Sequence, residues 1–160
     1  NGKLIQTLNL CTNAPVPRRE PVGSLSAADF NFDNYYDLAL QTSSENGNAK
    51  YCVWLFDARQ QRFVLNNQLS GVANIAPDPS TRTLQSYEYQ GCNGVCFTRN
   101  TYRWSEGQPQ LVRSEVTTRA PLSVGYGGCE YVHSIKELKG GGVREVSRER
   151  VNALGVSCDL

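Results

Sequence analysis

The sequence predicts an all-β fold, an antiparallel two-sheet, sandwich-like domain that carries one acid-rich loop and one short helix. Three observations predict it. Short segments rich in aromatic and β-branched residues recur along the chain, as in Lys50-Tyr51-Cys52-Val53-Trp54-Leu55-Phe56 and Thr83-Leu84-Gln85-Ser86-Tyr87-Glu88-Tyr89. Turn compositions such as Asn46-Gly47 and Ser105-Glu106-Gly107 separate them at hairpin spacing. Only Ser134-Ile135-Lys136-Glu137 has a helix-start pattern, a capping box that Gly140 would close after about one turn. The length of 160 residues suits one domain over residues 1–160 with a single core.

In chain order, Lys3-Leu4-Ile5-Gln6-Thr7-Leu8 reads as a first strand, and the three prolines within residues 12–21 mark an irregular connection. Residues 38–42 and 50–56 read as strands around an Asn46-Gly47 hairpin turn, followed by a turn into Phe63-Val64-Leu65. Residues 66–79 read as a packed loop or helical turn, with Leu69, Val72 and Ile75 as its apolar cluster. Residues 83–89 and 97–104 then form a hairpin around Gly91-Cys92-Asn93-Gly94-Val95-Cys96. Residues 110–119 alternate as a strand should. Beyond the flexible Gly140-Gly141-Gly142, residues 144–154 are compatible with either a charged surface helix or a hairpin strand.

The acid-rich loop is Asp29-Phe30-Asn31-Phe32-Asp33-Asn34-Tyr35-Tyr36-Asp37. Its side-chain oxygens at Asp29, Asn31, Asp33 and Asp37 occupy positions 1, 3, 5 and 9 of a calcium loop, with the Tyr35 carbonyl at position 7. Ca²⁺ takes roughly six to eight oxygens, and a wound loop with donors at alternate positions directs them to one centre. A cation would also neutralise three carboxylates that otherwise repel. Asn34 replaces the usual turn glycine and tolerates a left-handed backbone. Leu40 stands where an EF-hand has its bidentate Glu, so Asp37 is expected to ligate directly. The ion would be structural, because every ligand is spent in one loop; the alternative is an Asx-rich turn without metal.

Composition narrows the function classes. A net charge of +1 with interspersed signs argues against a nucleic-acid partner, and no window is apolar for the length of a membrane span. With no Met at all, the chain is expected to be a processed or trimmed product; an upstream lipid anchor is left open. Cys11, Cys52, Cys92, Cys96, Cys129 and Cys158 match no zinc spacing, and an even set fits disulfides in an oxidising compartment. Fifteen pairings are possible; we expect Cys92–Cys96, Cys11–Cys52 and Cys129–Cys158, each long closure being worth roughly 3–4 kcal/mol.

The acid loop, the segment Tyr51-Cys52-Val53-Trp54-Leu55-Phe56-Asp57, then Phe63, Asn66 and Leu69, and finally Tyr102-Arg103-Trp104 ahead of Gly107 and Leu111 together resemble a family of periplasmic proteins. These are the immunity proteins of bacteria-killing type IV secretion systems, which are similar to periplasmic inhibitors of invertebrate-type lysozyme. The resemblance covers roughly residues 1–115. It implies a β-rich, calcium-binding, signal-peptide-bearing periplasmic protein that blocks a lysozyme-like peptidoglycan hydrolase by inserting a loop into its cleft. In such inhibitors the loop bears a small residue, a glycine and a tyrosine. The nearest candidate in chain order is the hairpin tip with Tyr89, Gly91, Asn93, Gly94 and Phe97, where the expected tyrosine is replaced by Phe97 or displaced to Tyr89; a second candidate is Tyr126 within Ser123-Val124-Gly125-Tyr126-Gly127-Gly128. A rigid loop bearing one aromatic is a good anchor, because it buries a large area at low entropy cost. The same tyrosines can instead be cross-strand pairs on a sheet.

An enzyme is not expected. His133 is the single histidine, no Gly-x-Ser-x-Gly motif is present, and sequence shows no two of Glu88, Glu106, Glu115, Glu130 and Glu137 facing each other as a glycosidase pair. The alternative function is a calcium-stabilised extracytoplasmic module that binds carbohydrate or protein.

Overall fold

Short turns decide the topology. The computed structural model describes residues 2–11, 23–120, 131–139, 141–152 and 154. Asn46 and Gly47 both have positive φ, 51° and 78°, as do Glu106 and Gly107 at 52° and 76°. That is the backbone a two-residue hairpin needs, and such a turn can join only antiparallel neighbours. Hence β1 (Leu25–Ala28), β2 (Asp37–Glu45), β3 (Asn48–Asp57) and β4 (Arg62–Leu65) form one sheet in sequence order. A second, six-stranded sheet runs β5 (Ala76–Asp78), β6 (Thr83–Tyr89), β7 (Phe97–Ser105), β8 (Gln108–Arg119), β9 (Tyr131–Lys139) and β10 (Gly142–Val151), again neighbour to neighbour. All the pairings are antiparallel, so the two-sheet, all-β expectation holds.

The main core draws on both sheets and their connections: Phe30, Phe32, Ala39, Val53, Leu69, Ile75 and Leu84. Burying each large aliphatic or aromatic side chain contributes about 1.5–3 kcal/mol. Strand β3 is buried on both faces. Val53 points into the main core, while Cys52 and Trp54 meet Cys11, Leu8, Phe63 and Leu65 on the other side. The Cys11–Cys52 and Cys92–Cys96 disulfides are both formed; Cys129 and Cys158 lie outside the described residues.

Three expectations need correction, and one strand was not expected. Residues 3–8 form no strand. The Gln6 side chain instead takes the place of a ladder, donating to the Phe63 carbonyl at 2.7 Å and accepting from the Phe63 N–H at 2.9 Å, while Leu4 and Ile5 stay exposed. The predicted helix at Ser134-Ile135-Lys136-Glu137 is part of β9, paired on one side with β8 and on the other with β10. A ladder on both edges satisfies more backbone than one isolated helical turn, whose nucleation is costly. Among the described residues the one helical element is a 3₁₀ turn at Cys92–Gly94. The loop over residues 66–79 contains the short β5, an edge strand that tolerates Pro77. The short β1 went unpredicted; its Leu-Ser-Ala-Ala has none of the residues that mark a strand. Of the two readings for residues 144–154, the hairpin strand is the one observed, as β10 over Gly142–Val151.

Candidate functional site

The acid loop alternates by chemistry. Phe30 and Phe32 turn into the core, which leaves Asp29, Asn31 and Asp33 on the outside. Left-handed backbone at Phe32 (φ 60°) and Asn34 (φ 71°) winds the loop tightly, as the asparagine at position 6 foreshadows. Asp29 accepts from the N–H groups of Asp33 at 3.1 Å and Asn34 at 2.9 Å. Asn31 accepts from Asp33 N–H at 3.2 Å and donates to the Asp33 carboxylate at 2.8 Å, and Asp33 accepts from Tyr35 N–H at 2.9 Å. The loop's polar side chains therefore hold its own backbone in shape. From the second sheet, the Arg82 guanidinium donates to the Phe32 carbonyl at 2.7 Å and lies over the Phe32 ring, clamping the loop from outside.

Asp37 differs from the other two acids. It is 0% exposed, and its two oxygens accept from Phe30 N–H and Phe56 N–H at 2.8 Å each. One carboxylate thus ties the start of the loop to the end of β3. Burial pushes its carboxyl up to about 6; the two backbone hydrogen bonds pull it down, and the charges of Asp33 and Asp29 push it further up. Among the described residues, no three His, Cys, Asp or Glu side chains converge as a ready metal centre. Each carboxylate oxygen of Asp29, Asp33 and Asp37 is engaged once, by a backbone or amide N–H. Since a carboxylate oxygen has about two acceptor positions, the donor set retains capacity for a hard cation.

The hairpin tip lies elsewhere, at the β6–β7 turn. The Cys92–Cys96 disulfide and the hydrogen bond from Gln90 N–H to the Cys96 carbonyl at 2.9 Å close its base. Cys92, Val95 and Cys96 lean on Tyr131 and Val151, while Gly91, Asn93 and Gly94 face solvent. Tyr89 is 45% exposed. Together with Gln90, Gly91, Asn93, Gly94 and Asn46 it lines a groove of about 540 Å³. Phe97 is half-buried and stacks on Tyr87 with centroids 5.3 Å apart, so of the two aromatics Tyr89 is the one presented. Tyr126 lies outside the described residues.

Two asparagines that sequence reasoning missed hold this end of the molecule. Asn48 pairs with the Tyr89 backbone in both directions, at 2.9 and 2.8 Å. Asn74 donates to the carbonyls of Gly47 and Tyr87 and accepts from Ala49 N–H. A Cβ at Gly47 would come within 3.2 Å of the Tyr89 ring, so glycine there serves both the turn and the close approach. Neither asparagine stands out in sequence, because their partners are mostly tens of residues away.

The architecture has a counterpart among solved structures. One described as that of a Xanthomonas type IV secretion system related protein superposes with a TM-score of 0.60 at 20% identity, covering 81% of this chain and 61% of that one. The chain spans about three fifths of the length of that protein, and the likeness is one of fold. No family model and no curated protein matches the chain.

Proposed function

We propose that this chain is a periplasmic immunity protein of the type IV secretion kind, which inhibits a lysozyme-like peptidoglycan hydrolase and has no catalytic activity of its own. The tip is the observation that carries this reading. It is a disulfide-closed loop of small residues with one exposed tyrosine at its flank, a pre-organised anchor that loses little entropy on entering a cleft. Tyr89, Gly91, Asn93 and Gly94 make the contact in this proposal, with Phe97 supporting them from below. The two disulfides fit an oxidising compartment, and the fold shared with a type IV secretion system related protein is compatible with such a role.

Calcium has a structural part in the proposal. Asp29, Asn31, Asp33, Asp37 and the Tyr35 carbonyl would hold it; the chemistry of the donor set, all hard oxygens on one wound loop, suits that ion. The test is the rate of peptidoglycan hydrolysis by a panel of lysozyme-like enzymes, with and without near-equimolar chain and saturating Ca²⁺. Stoichiometric loss of activity for one enzyme supports the proposal, and unchanged rates across a panel that includes the cognate hydrolase end it.

A further inference from the structure

A separate cavity of about 240 Å³ opens at the seam between the two sheets, between Lys50 on β3 and Glu88 on β6. Ser86, Asn100 and Tyr102 line it from the second sheet, and residues 71–73 form the facing wall. Ser86 and Asn100 stand directly opposite each other across β6 and β7, one step from Leu84 and Tyr102 at the edge of the main core. Polar side chains on the core-facing side of a sheet call for partners. Ser86 is only 6% exposed, yet its hydroxyl has no hydrogen-bond partner among the described residues. No fully sealed polar side-chain atom lacks a partner, so that hydroxyl reaches solvent, and the opening available to it is the cavity it lines.

The rim has the same character. Lys50 and Glu88 are exposed, and neither joins an ion pair among the described residues. The walls are fixed in advance: Lys50 bridges to Ala73, Gly71 N–H donates to the Tyr51 carbonyl at 2.9 Å, and Tyr87 N–H donates to the Ala73 carbonyl at 3.3 Å. Such a cavity has little ordering left to undergo when a ligand enters. Its volume is below the roughly 300–1,000 Å³ of sites for drug-sized ligands, which restricts it to one small molecule.

We propose that this seam cavity binds a small zwitterion, a free amino acid or dipeptide. Its carboxylate meets the Lys50 ammonium, its ammonium meets the Glu88 carboxylate, and Ser86 and Asn100 supply the buried hydrogen bonds. Opposite charges decide the class. A zwitterion presents a carboxylate to Lys50 and an ammonium to Glu88 together, each a charge-assisted hydrogen bond, whereas a neutral occupant presents neither. The site shares no residue with the tip and stands independently of the inhibitor reading.

The test is calorimetric titration of the whole chain with L- and D-amino acids and alanyl-alanine, against N-acetylalanine amide and N-acetylglucosamine as uncharged probes. The expected result is saturable binding of at least one zwitterion and none of the uncharged probes. Lys50→Ala and Glu88→Ala, both at exposed positions, should each weaken binding about tenfold or more at an unchanged melting temperature. Asn100→Ala reports on the wall without disturbing the more deeply buried Ser86. Absence of binding by every zwitterion at millimolar concentration overturns the proposal. Equal binding of an uncharged probe, or affinity untouched by the Lys50 and Glu88 substitutions, overturns it as well.

Discussion

The acid loop and the disulfide-closed tip are both short connections with left-handed residues, Phe32 and Asn34 in one, Cys92 and Asn93 in the other, yet opposite means hold them. The loop is fixed without covalent help: two rings in the core, a buried carboxylate gripping two distant amides, and polar side chains capping their own backbone. The tip has no buried residue in its 3₁₀ turn and depends on a bond between its ends. The difference teaches where change is tolerated. Damage to the loop spreads through the main core it helps to build; damage to the tip reaches only the small cluster of Cys96, Tyr131 and Val151 beneath it, where local stability is separable from global stability.

Asp37→Ala breaks the comparison hardest. It orphans the Phe30 and Phe56 N–H groups in a buried place, so the chain should lose about 2–5 kcal/mol of stability by urea unfolding. The same carboxyl sets a pH dependence in chelator-treated protein. Its folded value of about 6 stands above the 3.8 of an ordinary Asp, so the folded state binds more protons than the unfolded state in that window. Stability of the calcium-free chain should therefore fall as pH rises from about 4 to about 6. A flat profile there would contradict the burial of that group.

Calcium sharpens the loop's side. On the proposal that the loop holds Ca²⁺ in the folded state alone, saturating ion should stabilise by about 2.7 kcal/mol at a hundred times its dissociation constant, seen as a higher Tm. Asp33→Ala should abolish the response; if Ca²⁺ still raises the variant's Tm as before, the loop is not the site. Opening the tip disulfide with a Cys92→Ala, Cys96→Ala double variant should cost less, about 2 kcal/mol, because the closed loop is short. Tyr89→Ala should be nearly silent in stability, within about 0.5 kcal/mol, since its ring is partly exposed and meets Tyr87 edge to face.

What was legible in the sequence follows from the range of the interactions. Alternating oxygens at Asp29, Asn31 and Asp33 and the Asn46-Gly47 turn act over a few residues, so their pattern is local and readable. The hairpin over residues 83–104 was equally plain, and both described disulfides agree with the expected pairing, although sequence alone does not choose among the fifteen possible sets. Arg82 on Phe32, Asn48 on Tyr89 and Gln6 on Phe63 act across 41 to 57 positions, and nothing in a one-dimensional pattern marks them. The capping box at Ser134 misled for the same reason: the local signal was real, but pairing with β8 and β10 decided the outcome. For the loop, sequence showed the donors but not that Asp37 would be drawn inside to grip backbone amides.

The most direct test of the central claim is a titration of the inhibited hydrolase with wild-type chain and with Tyr89→Ala, both calcium-loaded and matched for Tm. The account predicts stoichiometric inhibition by the wild type and an inhibition constant raised at least about tenfold in the variant, the size of effect a buried aromatic anchor carries. Identical inhibition by the two chains would contradict the tip as the inhibitory element.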